Sequence, residues 1–487
     1  MPIEFPTLNV PALYPEIIVI ATAFVVMLFD MLVNDKRVAG YVSLVGLAAA
    51  AGLSSIMFGW SPAPAFQNMA ISDGYSLVLN LIFIVTAAMS VLLSLSYLEG
   101  QDMQRGEYYA LLLFSTGGMM LMGAATDLIV VFLALEIMSI ALYILAGFNR
   151  RQPSSGEAGM KYFVLGAFAS AFFLYGAALL YGASGSTNLR AIGDWFTSGQ
   201  GSLDDPLALI GLGLLLVGFA FKVAAVPFQW WTPDVYHGAP TSVTAFMSVG
   251  AKTAGFAALI RLLMISFDKA FTVDWQIALA ALAVITMTGG NIAALAQKDV
   301  KRMLAYSSIA HAGYILIGVV PGTMNGVNGV LFYLMSYAFM NVGAFAVIAV
   351  IERRDQIGSA MSDYVGLATR KPMLALVMAL FMFSLTGIPP FVGFWGKLYV
   401  FQAAVEANMS WLAIVGVINS AISAFFYLGV VVQMYMRAPA EGAGAEVTPI
   451  QLGGPAVVTL AVTAILTVLF GIWPTPLVNL ASLGIFG

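Results

Sequence analysis

The sequence has no cysteine in 487 residues, only two histidines, and 9% charged residues. Without cysteine there can be no disulfide, no thiolate metal site and no iron–sulfur ligation. With His237 and His311 as the only histidines, a bis-histidine haem is not expected. A phosphate-binding loop is lacking too: "GFWGKL" at 393–398 has a Gly-Lys pair, but no Ser or Thr follows it and the earlier glycine is at the wrong spacing. Redox chemistry and nucleotide hydrolysis are therefore not expected of this chain. The first 14 residues hold no Lys or Arg, so a cleavable leader is not expected either.

What the chain has instead is apolar length. Hydrophobic residues make up 61% and mean hydropathy is +0.93, whereas soluble domains carry about 25% charged residues. Folding alone cannot hide that much apolar surface, so the bilayer is the expected solvent. Backbone groups in lipid must bond internally, and each apolar run of about 20 residues reads as a helix. Such runs fall near 15–33, 39–59, 75–98, 107–125, 128–148, 160–183, 206–231, 239–264, 274–296, 303–320, 327–351, 372–401, 410–434 and 455–480. The expected fold is an all-α polytopic membrane protein with fourteen transmembrane helices.

Charge placement orients it. Of the 20 Lys and Arg residues, fourteen fall in alternate joints beginning with the first: Lys36, Arg37, Arg105, Arg150, Arg151, Lys161, Lys298, Lys301, Arg302, Arg353, Arg354, Arg370, Lys371 and Arg437. Arg190, Arg261 and Lys269 take the opposite side, and Lys222, Lys252 and Lys397 lie inside spans. The larger set is expected in the cytoplasm, which leaves both termini outside.

Internal similarity points to duplication. "TGGMMLMGAATD" at 116–127 aligns with "TGGNIAALAQKD" at 288–299, "LYILAG" at 142–147 with "GYILIG" at 313–318, and "GMKYF" at 159–163 with "GVLFY" at 329–333. This register pairs helices 4–8 with helices 9–13. Five helices per unit is odd, so the two repeats are expected to be inverted, the plan of transporters with mid-membrane sites on broken helices. The divisions are 1–104 (three leading helices), 105–268 (first repeat), 269–437 (second repeat) and 438–487 (helix 14).

The candidate chemistry lies inside the spans. "FKVAAVPFQWW" at 221–231 places Lys222 beside Pro227, and "LTGIPPFVGFWGK" at 385–397 places Lys397 beyond Pro389 and Pro390. A proline has no N–H and clashes with the carbonyl four residues back, so helices 7 and 12 are expected to break, leaving carbonyls that need polar partners. Glu136 stands mid-helix 5 with Ser139 and Tyr143 on its face. In helix 8, Thr241, Thr244 and Ser248 lead to Lys252. His311 in helix 10 lies among Ser307, Ser308 and Tyr314, and helix 13 carries Asn419, Ser423 and Tyr427. Three lysines and one glutamate in mid-membrane cost on the order of 10 kcal/mol together. Structural ion pairing fits poorly, because three cations face one anion. Some lysines must find other partners or lose their proton part of the time, which is what a proton relay requires. His311 reads equally as a hydrogen-bonded core histidine or a relay member. His237 reads as a cap or hinge, Asp127 and Asp299 as N-caps, and Trp230–Trp231 as an interface belt.

These residues, with "GAKTAGFA" around Lys252 and "TGIPPFVGFWGK" in helix 12, resemble the antiporter-like membrane subunits of respiratory complex I (NADH:quinone oxidoreductase) over nearly the whole chain. A lysine in helix 12 and an end after helix 14 without a lateral helix are similar to the N-type branch of that family. Three leading helices are similar to its bacterial form. The resemblance implies a proton channel with a Glu136/Lys222 pair at one half-channel, Lys252 as central connector and Lys397 at the exit side. It implies a bacterial inner membrane and no cofactor on this chain. FMN, iron–sulfur clusters and quinone would be bound by other subunits. The implied partners are the other antiporter-like subunits, the small membrane subunits, lipids and protons, with no nucleic acid. Two other readings share the residues: a subunit of a multisubunit cation/proton antiporter, and a non-conducting membrane scaffold that uses the charges for docking.

Overall fold

The computed structural model describes residues 8–202, 204–267, 272–352, 358–438 and 453–487. Lys269, Arg353 and Arg354, used above to orient the chain, and most of the 438–446 joint lie outside the described residues.

Three leading helices come first: α1 Tyr14–Leu32, α2 Arg37–Met57 and α3 Gly74–Gly100. The polar joint before α3 holds a small antiparallel hairpin, β1 Ala63–Ala65 with β2 Ala70–Ser72, the one exception to helix among the described residues. Then follow α4 Gly106–Ala124, α5 Leu128–Ala146, α6 Pro153–Ser184, α7 Leu189–Thr197, α8 Pro206–Val223, α9 Trp231–Gly238 and α10 Thr241–Ser266. The second half runs through α11 Thr272–Leu295, α12 Val300–Val319, α13 Met324–Ile351, α14 Leu367–Arg370, α15 Pro372–Thr386, α16 Val392–Glu406 and α17 Ser410–Met436. Two helices close the chain, α18 Gly454–Ile472 and α19 Thr475–Ser482, where one run was expected.

Among the described residues, eleven helices are long and apolar enough to cross a membrane. The expected runs at 107–125 and 303–320 are α4 and α12, of 19 and 20 residues. Both spend residues on neighbours rather than lipid. In α4, Gly117 packs on Ile20 and Gly118 on the α5 backbone at Met138, while α12 carries Lys301 and His311 on buried faces. The expected run at 372–401 is the pair α15 and α16. The run at 206–231 is α8 and the first residue of α9, with a non-helical stretch between them.

Caps explain where several helices begin. Asp127 accepts from the Ile129 N–H and Asp299 from the Arg302 N–H, as expected of N-caps. Around both caps the same bonds recur 172 positions apart. Leu128 N–H donates to the Thr187 carbonyl and Val300 N–H to that of Ser359; Leu189 N–H donates to Thr126 and Met361 N–H to Lys298. The Thr187 and Ser359 hydroxyls donate to Asp127 and Asp299 respectively. Gly118 meets the backbone at Met138 as Gly290 meets it at Ala310, at the same separation.

The core carries many buried polar side chains. Helix α10 is buried along its whole apolar length and α13 almost so, whereas α6, α17 and α18 keep most of theirs exposed. The two buried helices therefore have no lipid to satisfy and can carry serine, threonine, asparagine and lysine inward.

Candidate functional site

Both expected breaks exist, and each ends on a left-handed residue. Helix α8 stops at Ala224 (φ 63°), whose N–H donates to the Ala220 and Phe221 carbonyls. Helix α15 stops at Gly387 (φ 90°), whose N–H donates to Phe383 and Ser384. Side chains add hydrogen bonds to the carbonyls at these ends. Trp231 Nε1–H donates to the Phe221 carbonyl at 3.1 Å. Lys397 donates from its Nζ to the Thr386 carbonyl at 2.7 Å and to Ser420 Oγ at 2.8 Å. Trp231 is thus no interface residue: it is buried, stacked on Tyr162 with ring centroids 4.5 Å apart. Its neighbour Trp230, 75% exposed, is the one that faces outward.

The three mid-membrane lysines are all buried, and each is held by neutral groups. Lys222 Nζ donates to Ser139 Oγ at 2.7 Å and to the Tyr162 hydroxyl at 3.4 Å. Its hydrogen bonds do not go to Glu136. That carboxylate accepts instead from the Ser170 hydroxyl, while Ser139, one turn along α5, gives its own hydroxyl proton to the Leu135 carbonyl. Lys252 donates to both the carbonyl and the hydroxyl of Ser308, with the Tyr337 ring 5.9 Å from its Nζ. Lys397 lies 4.7 Å from the centroid of Tyr314. Helix α10 brings the first two lysines together: Gly255, three residues past Lys252, packs against Lys222 Cγ and Cβ.

His311 bridges two hydroxyls, Tyr333 on Nδ1 at 2.7 Å and Tyr427 on Nε2 at 3.0 Å. Tyr427 is bonded in turn to Ser307. Tyr314, one turn beyond His311, accepts from Asn291, which also reaches Asn419. Glu136, Lys222, His311 and Lys397, with Lys252, are thus surrounded by hydroxyls and amides from α5, α6, α11, α12, α13 and α17. A neutral hydroxyl or amide bonds an amine in either protonation state, so this lining does not fix the charge.

Sequence reasoning missed several of these groups. Ser170, Tyr333 and Ser420 were passed over, although Tyr333 shares a face of α13 with Tyr337 and Asn341, and Ser420 lies beside Asn419 on α17. Lys301 and Arg261 were placed with the joint cations, yet both are buried. Lys301 Nζ donates to the Ala239 carbonyl at 2.7 Å and stands 3.8 Å from Glu352. Arg261 grips Asp73 with two nitrogens, at 2.8 and 2.9 Å, and also bonds the Gly123 carbonyl. Burial would push the Asp73 carboxyl up; the Arg261 charge outweighs it and holds it below the ordinary range. The helix positions of these two cations, seven residues or fewer from a span end, gave the only available signal.

At the cation-rich face, Asp234 of α9 joins Lys161 of α6 and Arg302 of α12, each at 2.8 Å. Partial burial would raise its carboxyl, but those two hydrogen bonds prevail and hold it below the usual range. His237 is half-exposed and 3.6 Å from Asp299, as a hinge-side residue would be.

Residues 125–423 match the family model described as "NADH:quinone oxidoreductase/Mrp antiporter, TM". The chain is 46% identical to NADH-quinone oxidoreductase subunit N of Trichlorobacter lovleyi over 98% of its length and 97% of the relative's. It is 45% identical to subunit N of Chloroflexus aggregans over 99% of its own length and 98% of that protein. A chain of respiratory complex I from Thermus thermophilus with bound aureothin superposes with a TM-score of 0.81 at 36% identity, covering 96% of this chain and 99% of that one. A chain of the Mrp complex from Dietzia sp. superposes with a TM-score of 0.84 at 21% identity over 97% of each, a likeness of fold.

Proposed function

The chain belongs to the family of NADH:quinone oxidoreductase and Mrp antiporter membrane subunits, and on that footing we propose that it translocates protons in the membrane arm of a bacterial NADH:quinone oxidoreductase. The observation that carries this reading is the row of three buried lysines whose hydrogen bonds go only to neutral hydroxyls and carbonyls. A permanent charge in mid-membrane is stabilised by a counter-ion; an exchanging one needs partners that serve both states. Glu136 and Lys222 form the entrance couple, the carboxylate acting on the amine through its charge without a direct hydrogen bond. Lys252 connects, through Ser308, to the His311–tyrosine cluster, and Lys397 at the α15 break leads out. Electrons never enter this chain in the scheme: FMN, iron–sulfur clusters and quinone belong to other subunits, and quinone reduction there drives the proton steps here.

The architecture that goes with it is fourteen crossings, α8–α9 and α15–α16 each counting as one broken crossing. Two inverted five-helix repeats, 105–268 and 269–437, follow the leading helices of 1–104, and 438–487 supplies the last crossing. The bonds repeated at a separation of 172 support that duplication. Both termini lie on the outer side of the bacterial inner membrane. The partners are the other antiporter-like and small membrane subunits and lipid.

Purification of a tagged chain from its native membrane tests the assignment. Co-purification of flavin and iron–sulfur subunits, with NADH-driven proton uptake, is expected. An assembly of cation/proton antiporter chains without redox subunits would replace the proposal with the antiporter reading, which the Mrp-like fold favours second.

A further inference from the structure

Beyond the Glu136/Lys222 entrance, a second set of buried polar groups leads from the cation-rich face to Lys252. Three helices contribute at the same two heights. On α10, Thr241, Thr244, Ser248 and Lys252 are spaced 3, 4 and 4 residues apart and share one face. On α12, Lys301 and Ser308 are two turns apart on one face, and on α13 the pair is Asn341 and, three turns on, Glu352. At the lower height, Lys301, Glu352 and Thr241 meet Tyr97 of α3. Its hydroxyl accepts from the Thr241 N–H at 3.2 Å and faces the carboxylate. At the upper height, Asn341 donates to Ser248 at 2.7 Å, and Lys252 donates to Ser308. The interval along α10 is about 16 Å.

This file holds a series of unsatisfied atoms. Both oxygens of Glu352, the Thr241 hydroxyl, the Asn341 carbonyl oxygen and the Tyr337 hydroxyl are buried without a hydrogen-bond partner among the described residues. Buried polar atoms in native proteins are satisfied by protein or by ordered water, and sites with several polar groups are the ones that hold water. Five such atoms along one path from a buried ion pair to a relay lysine describe a hydrated file rather than scattered defects. The Lys301–Glu352 pair is not explained by stability, because burying two ions costs more than packing two apolar side chains.

We infer that Lys301 and Glu352 form a second proton-uptake gate that delivers protons from the cation-rich face directly to Lys252. The Glu352 carboxylate takes a proton from water, with Lys301 remaining charged beside it. The proton passes along waters bonded to Thr241, Thr244 and Asn341 to the Lys252 amine, when that amine is unprotonated. Glu352 returns to its anion, so charge and protons balance. This deepens the proposed function and rests on it.

The test uses the assembled complex in inverted membrane vesicles, reading proton uptake per quinone reduced. Removing one ion leaves the other buried and unpaired, so the pair is changed together, Lys301→Met with Glu352→Gln. A purely structural pair predicts an assembled complex with full uptake. A gate predicts an assembled complex that loses coupled uptake. Should that variant fail to assemble, Thr241→Val decides: its hydroxyl has no protein partner to lose, so slowed uptake at normal assembly supports the file and unchanged uptake overturns it. Absence of any coupled uptake in the unsubstituted complex would count against the proposed function itself, and is read separately.

Discussion

At the scale of single residues, the deciding question is whether a buried cation must give up its proton. Lys222 bonds Ser139 and Tyr162, both of which serve an amine or an ammonium. Arginine keeps the charge but does not deprotonate in proteins. Lys222→Arg should therefore depress quinone-coupled proton uptake about as severely as Lys222→Ala, at equal levels of assembled complex. Full coupling in the arginine variant would end the relay role of this residue. Trp231 offers a different test, because its role is backbone satisfaction. Trp231→Phe keeps the stack on Tyr162 but strips one of two donors from the Phe221 carbonyl, which retains the Ala224 N–H. Losing one such hydrogen bond costs about 0.5–1.5 kcal/mol, so the complex should melt at a slightly lower temperature; an unchanged melting temperature would show that the Ala224 N–H alone satisfies this carbonyl.

Among elements, the broken helices carry the most information. A residue with an N–H at 390 would reach back to the Thr386 carbonyl and complete the α15 turn. Pro389 and Pro390 prevent this, which leaves that carbonyl for Lys397 and Ser420. Replacing both prolines with alanine should let the helix run on, detach Lys397 and impair proton translocation in a complex that still assembles. Normal pumping by that variant would reduce the break to a packing device. The tie between α6, α9 and α12 is electrostatic and has its own pH signature. The Asp234 carboxyl is held below the ordinary range by Lys161 and Arg302. A depressed acid contributes stability above its unfolded pKa and loses it as pH falls through the folded value. The melting gap between the unsubstituted complex and Asp234→Asn should thus be present at neutral pH and close in acid. With a side chain 36% exposed, the gap corresponds to at most ~1 kcal/mol per pair. A gap that persists unchanged into acid would contradict the assignment.

For the whole molecule, orientation is the open variable, and it rests on where cations lie. Lys161, Arg302, Arg151 and Arg37 all make ion pairs at helix ends on the face assigned to the cytoplasm. Reporter fusions in the 150–157 and 358–371 joints should report cytoplasm, and a fusion after Gly487 the outside. A cytoplasmic signal from the last fusion would mean an odd number of crossings.

The sequence by itself determined the helical membrane class, the caps at Asp127 and Asp299, the two breaks and the lysines beside them. Each follows from a local rule: lipid demands internal backbone bonds, aspartate satisfies free N–H groups, and proline cannot donate. It also pointed to an internal repeat: the aligned segments lie 170 to 172 positions apart, and hydrogen bonds around Asp127 and Asp299 recur at 172. Tertiary structure alone decided what each charge touches. Lys301 and Arg261 lie near helix ends, where a cation normally reaches water, and only the packing of α3, α10 and α13 around them makes them buried. Glu136 and Lys222 looked like a direct pair because they are the nearest opposite charges in kind. In the folded chain α6 packs against both α5 and α8, so Glu136 accepts from Ser170 of α6 while Lys222 donates to Ser139 and Tyr162. Trp231 looked like a belt residue beside Trp230, but the turn after the break rotates one ring inward and the other out. Such contacts join residues from 34 to 188 positions apart, and no local pattern records which side chains a folded chain brings within hydrogen-bond reach.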